Sequence, residues 1–113
     1  MIVAATYAAA AAVMCIGAYG LLVRRNLIHI CMSISIMETA AILLVVLLAY
    51  DPAGSAPILD PEVARYVDPL PHALALTAIV IAAAVTALGL ALAVIIHRRL
   101  GTLRIDELPR LLR

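Results

Sequence analysis

The sequence predicts an all-α integral membrane protein with three transmembrane helices in a single membrane domain, residues 1–113. The chain is 66% hydrophobic and only 13% charged, so it has too few polar residues for the surface of a soluble domain. Apart from Glu38, its charges lie outside three apolar stretches, and these cover 2–23, 27–50 and 70–97. At about 1.5 Å per residue, each stretch is long enough to cross a hydrocarbon core of about 30 Å.

The three stretches are predicted to be helices because only helices and closed barrels satisfy their own backbone in lipid. Runs of more than about 20 apolar residues without alternation do not match barrel strands. The first stretch is expected to be a membrane span and not a cleaved signal peptide. No basic region precedes it, and the basic pair Arg24–Arg25 comes only after the apolar run.

The distribution of arginine predicts the orientation of the three spans. All the basic residues are arginines: two lie in the link between the first two spans, five in the tail 98–113, and one, Arg65, in the loop 51–69. The positive-inside rule therefore places the link and the tail in the cytoplasm, and the N-terminus and the loop outside. The tail alternates leucine with charge, which is compatible with lying along the membrane surface or docking on a partner.

Small residues follow two stripes on the third span. One stripe contains Ala78, Ala82 and Thr86, and its neighbour contains Ala83, Ala87 and Ala91. Small residues allow the backbones of membrane helices to approach each other, and three short helices have little interior of their own. The pattern predicts packing into a larger membrane assembly, with a general alanine bias of the genome as the competing explanation.

Glu38 is the one charged residue inside the predicted spans. A carboxylate near a helix centre costs on the order of 3 kcal/mol on insertion scales, so it needs a counter-ion, a water-lined cavity or a proton. Ser35 and Cys31 share its helix face, Thr39 flanks it, and His29 lies nearer the cytoplasmic end. We expect Glu38 and Ser35 to serve proton or ion translocation, with His29 and Thr39 as candidate relay residues. The alternative is a structural Glu38 that fixes assembly through a hydrogen bond between helices.

No metal site, disulfide or cofactor is expected. Cys15 and Cys31 both fall inside predicted spans and form no CxxC pair. One carboxylate on three helices is too little for a proton path across the membrane. The chain is therefore expected either to form a homo-oligomer or to be a subunit of a larger machine. Its expected partners are other membrane subunits, the lipid bilayer, monovalent cations and protons, and no nucleic acid.

Two segments carry a resemblance to a known family. "YGLLVRRNLIHICMSISIMETA" and "DPLPHALALTAIVI" resemble the small C subunit of Mrp-type multisubunit Na⁺/H⁺ antiporters. That family is shared with the K subunit of respiratory complex I and with subunits of membrane-bound hydrogenases. The resemblance implies a multi-pass subunit in the plasma membrane of a prokaryote, which contributes to the ion or proton path and to assembly. It also implies a transport subunit without covalent chemistry in this chain, and therefore no enzyme.

The departures from the complex I pattern bear on the choice between parent complexes. Aligned on "RRN", the carboxylate of the K subunit's second helix falls at Ser35, one turn before Glu38. Aligned on "GLAL" and "HRR", a second carboxylate of that subunit falls at Val85. Both differences argue against a role in complex I itself. The equivalent K-like subunit of a redox-driven ion pump remains the main alternative, and a purely structural assembly subunit remains another. A self-sufficient multidrug transporter is disfavoured, because such proteins look like four-helix bundles with the acid in the first helix.

Overall fold

The computed structural model describes residues 1–112, so Arg113, the last residue of the predicted tail, lies outside the described part. Four helices follow one another: α1 (Ile2–Val23), α2 (Leu27–Leu48), α3 (Leu70–Leu100) and the short α4 (Leu108–Leu111). The first three are each long and apolar enough to cross a membrane. Within the described residues the chain forms no β-strand beyond two isolated bridges. The predicted all-α architecture with three spans is confirmed.

The ends of α2 and α3 differ by a few residues from the predicted spans 27–50 and 70–97. The second helix ends at Leu48, because Asp51 precedes Pro52 and a residue before proline is disfavoured in helical conformation. The third continues to Leu100 and ends at Gly101, whose φ of 73° is left-handed and whose N–H bonds the carbonyl of His97 at 2.8 Å. Arginines are good helix formers and favour the negative end of the helix dipole, so the basic pair before Leu100 extends the helix.

The three long helices form a flat layer with α2 in the centre. Both α1 and α3 pack mainly against α2 and not against each other. The molecule measures 69 × 28 × 14 Å, judged from its Cα positions, so it is longer and wider than it is thick. Both flat faces of the layer consequently remain uncovered by the chain itself.

Small residues bring the helices together. Every fully buried residue among those described is small: Ala10, Gly17, Ser33, Ala40, Ala75 and Ala93. A Cβ atom at Gly17 would lie only 2.6 Å from Met37 Cγ and 3.1 Å from the Met37 backbone nitrogen, and one at Gly20 would collide with Ser33 Oγ. The α1–α2 contact therefore requires glycine at both positions, as close helix packing in lipid commonly does.

The tail folds back onto the α1–α2 link and forms what we call the clasp, residues 24–27 and 102–107. The Leu27 N–H donates to the Leu103 carbonyl at 3.1 Å, and the Ile105 N–H donates to the Arg25 carbonyl at 2.9 Å. Asp106 accepts from Arg25 at 3.3 Å and forms an ion pair with Arg104 at 3.2 Å. This part of the tail thus packs on its own chain, an arrangement that the sequence did not predict, and it fixes the end of α3 beside the start of α2.

The charge of Asp106 is favoured in the clasp. A hydrogen bond from its own backbone, together with Arg104 and Arg25, lowers the pKa of the Asp106 carboxyl from its usual 3.8. A carboxyl whose pKa is lowered by folding stabilises the folded form above its ordinary pKa, and that contribution disappears as the pH falls through the lowered value.

We therefore predict that the backbone amides of the clasp stay protected from hydrogen exchange between about pH 5 and pH 8. The clasp should loosen only in stronger acid. Replacing Asp106 with Asn should loosen it at neutral pH, because Arg25 loses its ionic partner and Arg104 keeps only the longer pair with Glu107 at 3.8 Å. Hydrogen–deuterium exchange at the amides of Leu27 and Ile105 measures this directly. The matched control is Glu62→Gln in the α2–α3 loop, which should leave both amides unchanged; equal exchange in Asp106→Asn and wild type would contradict the prediction.

Candidate functional site

The interface between α2 and α3 is a ladder of facing side chains that runs along both antiparallel helices. On α3 the partly buried residues recur with helical spacing through Ala78, Ala82, Thr86 and Gly89. They meet, in the same order, the α2 residues Ile42, Glu38, Ser35 and Cys31. The predicted polar face of α2 and one of the two predicted small stripes of α3 therefore pack against each other. The second stripe, at Ala83, Ala87 and Ala91, is exposed.

Glu38 lies near the middle of this interface. Its side chain lines a groove of about 220 Å³ together with Ala41, Ile42, Ala78, Ile81 and Ala82. One carboxylate oxygen, Oε2, is buried and has no hydrogen-bond partner. A buried polar atom without a partner loses the hydration it would have in water, at a cost of about 1–3 kcal/mol or more for a charged group. The groove thus presents an unsatisfied acceptor in an apolar wall.

Ser35 lies one turn before Glu38 and bonds to both helices. Its hydroxyl lies 3.1 Å from the Cys31 carbonyl of its own helix and 2.9 Å from the Thr86 hydroxyl of α3. The pair is partly buried, so the bond ties α3 to α2 away from bulk water. The structure brings Ser35 to the same interface as Glu38, as the sequence predicted. It also adds Thr86, which the sequence indicated only as a packing residue.

The other two candidate relay residues do not face this groove. Thr39 is exposed, and its hydroxyl donates to the Ser35 carbonyl at 2.9 Å. His29 is also exposed and lies nine residues before Glu38, which places it about 180° around the helix. The structure therefore does not bring either side chain to Glu38, and their roles as relay residues stay predictions.

Two adjoining grooves run along α2 and α3 to Glu38; we call them the trough. A groove of about 230 Å³ adjoins the Glu38 groove and shares Ala41, Ile42 and Ala78 with it. A separate, larger cavity of about 540 Å³ lies at the loop end of the two helices, where Tyr50, Asp51, Asp68 and His72 join a mostly apolar wall. It shares no lining residue with the trough. The trough closes beyond Glu38, because Ser35 bonds Thr86 and a Cβ at Gly89 would lie only 3.1 Å from Cys31 Sγ.

The α2–α3 loop is ordered by its own side chains. Arg65 pairs with Asp51 at 2.7 Å, the Tyr66 hydroxyl donates to the Asp60 carbonyl at 2.8 Å, and Ser55 and Tyr66 form an isolated parallel bridge. Three of the four loop acids also accept a backbone N–H through their carboxylates: Asp51 from Ala53, Asp60 from Glu62, and Asp68 from Leu70. The loop cavity had no signal in the sequence, because its wall is assembled from the ends of two helices and a turn-rich segment.

No metal site is apparent among residues 1–112, where three or more His, Cys, Asp or Glu side chains never come together. Cys15 is exposed and Cys31 is partly buried, and both are free thiols. The polar side chains of the trough and of its closed end are therefore one carboxylate, two hydroxyls and one thiol, from Glu38, Ser35, Thr86 and Cys31. Such groups can exchange a proton or contact a monovalent cation.

Comparison with known proteins gives consistent results along the chain. Residues 5–112 match the family described as NADH-ubiquinone/plastoquinone oxidoreductase chain 4L. The chain is 38% identical over 92 residues to Na(+)/H(+) antiporter subunit C1 of Staphylococcus haemolyticus, which covers 81% of each protein. It is 40% identical over 88 residues to the subunit of the same name in Staphylococcus aureus, which covers 78% of each.

A solved structure shares the fold as well as the sequence. A chain of the membrane-bound sulfane sulfur reductase, an archaeal respiratory membrane complex, superposes with a TM-score of 0.81 and is 44% identical. The match covers 90% of this chain and 94% of that one. The family resemblance predicted from the two quoted segments is confirmed.

Proposed function

The chain belongs to the NADH-ubiquinone/plastoquinone oxidoreductase chain 4L family, and we propose that it is the small C subunit of a multisubunit Na⁺/H⁺ antiporter. The names of its relatives support the antiporter. The observation that carries a direct part in transport is the buried, unpartnered Oε2 of Glu38 in the trough. A carboxylate in that setting takes up and releases a proton or a cation, and this is the elementary step of coupled exchange.

Within this proposal the chain performs no covalent chemistry. Its contribution is to hold Glu38 at a fixed depth between two helices, beside a trough that extends from Glu38 toward the loop end. Access from that end is supported by the adjoining grooves, whereas the hydroxyl contact and the tight Cys31–Gly89 contact close the other end.

The proposed partners are the other membrane subunits of the same complex. A flat layer has two uncovered faces, and many of the large hydrophobic residues of this chain are exposed. Lipid tails cover such side chains as readily as protein does, so exposure alone does not select the partner. The word "subunit" in the relatives' names and the membership of the structural relative in a complex support protein partners on part of this surface.

A second candidate parent complex is a redox-driven ion pump. The specific observation that favours it is the 44% identity to a chain of a respiratory membrane complex. The same trough and Glu38 would then couple ion movement to electron transfer in other subunits. Sequence and geometry of this chain are compatible with both parents, and the relatives' names favour the antiporter.

The role of Glu38 predicts a defined loss of function. Glu38→Gln should reduce Na⁺-dependent proton exchange in membrane vesicles to the level of vesicles without the complex, because glutamine cannot release a proton. The amounts of all subunits should be unchanged, since the side chains are nearly equal in size. Glu62→Gln, an exposed loop carboxylate, is the matched control. Undiminished exchange in Glu38→Gln would refute a transport role for this residue.

The choice of parent complex predicts a set of co-purifying proteins. A tagged chain extracted from its native membrane in mild detergent should retain large multi-helix antiporter subunits and no redox proteins. Retained nickel–iron or iron–sulfur subunits would instead establish the redox-driven pump. Recovery of the chain alone would contradict both parents.

The orientation proposed from the arginines also has a direct test. In cells of a cysteine-free variant, Leu59→Cys in the loop should react with a membrane-impermeant maleimide, because Leu59 is 97% exposed and the loop faces outward. Leu112→Cys in the tail, 74% exposed, should react only after the membrane is permeabilised. The reverse pattern would invert the proposed topology.

A further inference from the structure

Thr86 differs from every other hydroxyl-bearing serine and threonine of the three long helices. Five of these six hydroxyls lie within hydrogen-bond distance of the carbonyl four residues earlier in their own helix: Thr6, Ser33, Ser35, Thr39 and Thr77. That bond satisfies the hydroxyl in lipid without any other helix. The Thr86 hydroxyl bonds instead to Ser35 on α2, at 2.9 Å.

The two bonds of Ser35 fix the direction in which the protons point. A hydroxyl has one hydrogen and two acceptor lone pairs. If Ser35 donates to the Cys31 carbonyl, then the contact with Thr86 is a hydrogen bond only when Thr86 is the donor. Both bonds therefore exist together in one arrangement, in which Thr86 donates to Ser35 and Ser35 donates toward the start of α2. The Thr86 oxygen then keeps its acceptor capacity.

This hydroxyl pair is the next polar group after Glu38 on the closed side of the trough. Ser35 precedes Glu38 by three residues, about 4.5 Å along the helix axis, and Ala82 of the Glu38 groove precedes Thr86 by one turn on α3. Each helix thus places the hydroxyl pair one turn from the Glu38 groove, and the proposed step between Glu38 and the pair uses a bridging water. No other polar side chain of α3 lies between Ala78 and Gly89.

We propose that Ser35 and Thr86 form a hydroxyl relay that carries the proton of Glu38 past the closed end of the trough. The relay rests on the proposed transport function and adds Thr86 to its machinery. A proton leaves Glu38 for a bridging water, and that water gives one of its protons to Thr86. Thr86 passes its own proton to Ser35. Ser35 turns its original O–H from the Cys31 carbonyl to a water on the Cys31 side and releases that proton there. Each hydroxyl is regenerated, so one proton moves and no bond other than O–H changes.

The surroundings of the pair contain few other titratable groups. Glu38 lies one turn away toward the loop and Cys31 one turn away toward the link, both on α2. The facing part of α3 contains no titratable residue between His72 and His97. The α1 helix packs on the other side of α2, about 200° around the helix, through Ser33. A change in proton transfer at the pair is therefore attributable to the pair or to these two neighbours.

Thr86→Val tests the relay, because it removes the hydroxyl while preserving the shape of the side chain. In vesicles that contain the complete complex, it should lower the maximal rate of Na⁺-dependent proton exchange at least about tenfold. The KM for Na⁺ should stay unchanged, since the relay passes the proton and does not bind sodium. Thr86→Ser should retain the wild-type rate, because it keeps the hydroxyl. The control Thr6→Val removes a hydroxyl that bonds only its own helix and should have no effect.

Three results would overturn the relay: a wild-type rate in Thr86→Val, a loss equally severe in Thr86→Ser, or a raised KM with an unchanged maximal rate. If Thr86→Val fails to assemble, Ser35→Ala removes the same contact from α2, and it should show the same tenfold loss with an unchanged KM. A wild-type rate in Ser35→Ala would then overturn the relay.

If Thr86→Val is active while Glu38→Gln is inactive, the relay fails and the proposed function stands. Undiminished exchange in Glu38→Gln refutes the transport role proposed for Glu38, on which the relay rests.

Discussion

The structure depends on the close approach of α2 to a neighbour on each side. In hydrocarbon, helices gain nothing from hiding apolar surface, so their association relies on backbone proximity and on bonds between helices. On α1, glycine residues allow this close approach. On α3, the residues that allow it are alanine, threonine and glycine. On the side of α2 that faces α1, the contact is filled by Met37 and by the buried Ser33. On the side that faces α3, the Ser35–Thr86 bond adds a polar contact. Larger residues at these positions would separate the layer into single helices.

Close packing on both sides of α2 also sets the environment of Glu38. The groove around it exists because Ala78 and Ala82 leave room opposite the carboxylate, whereas one turn further the contact between Ser35 and Thr86 closes the interface. A bulkier stripe on α3 would either fill the groove or force the helices apart. The same small residues therefore serve two purposes, helix association and space at the one membrane-embedded charge.

The flat layer explains why so small a protein has relatives that are named as subunits. None of its fully buried residues among those described is larger than serine or alanine, so the chain encloses no apolar core of its own. The clasp holds the link against the end of α3, and the ordered loop holds the other end. Both ends are thus fixed internally, while the faces stay available for lipid and neighbouring subunits.

The sequence by itself determined the three helices, their approximate ends and the family, because length, hydropathy and the quoted motifs are local properties of the chain. It also placed Glu38 and Ser35 on one face of α2, since helical periodicity fixes that relation. Only the tertiary structure decided which stripe of α3 meets that face, because Ala78–Thr86 and Ala83–Ala91 are equally small. It likewise decided that Thr86 bonds Ser35, that His29 and Thr39 point away from Glu38, and that the tail pairs with the link. Each of these outcomes depends on how two distant segments are aligned, and periodicity within one segment does not specify that alignment.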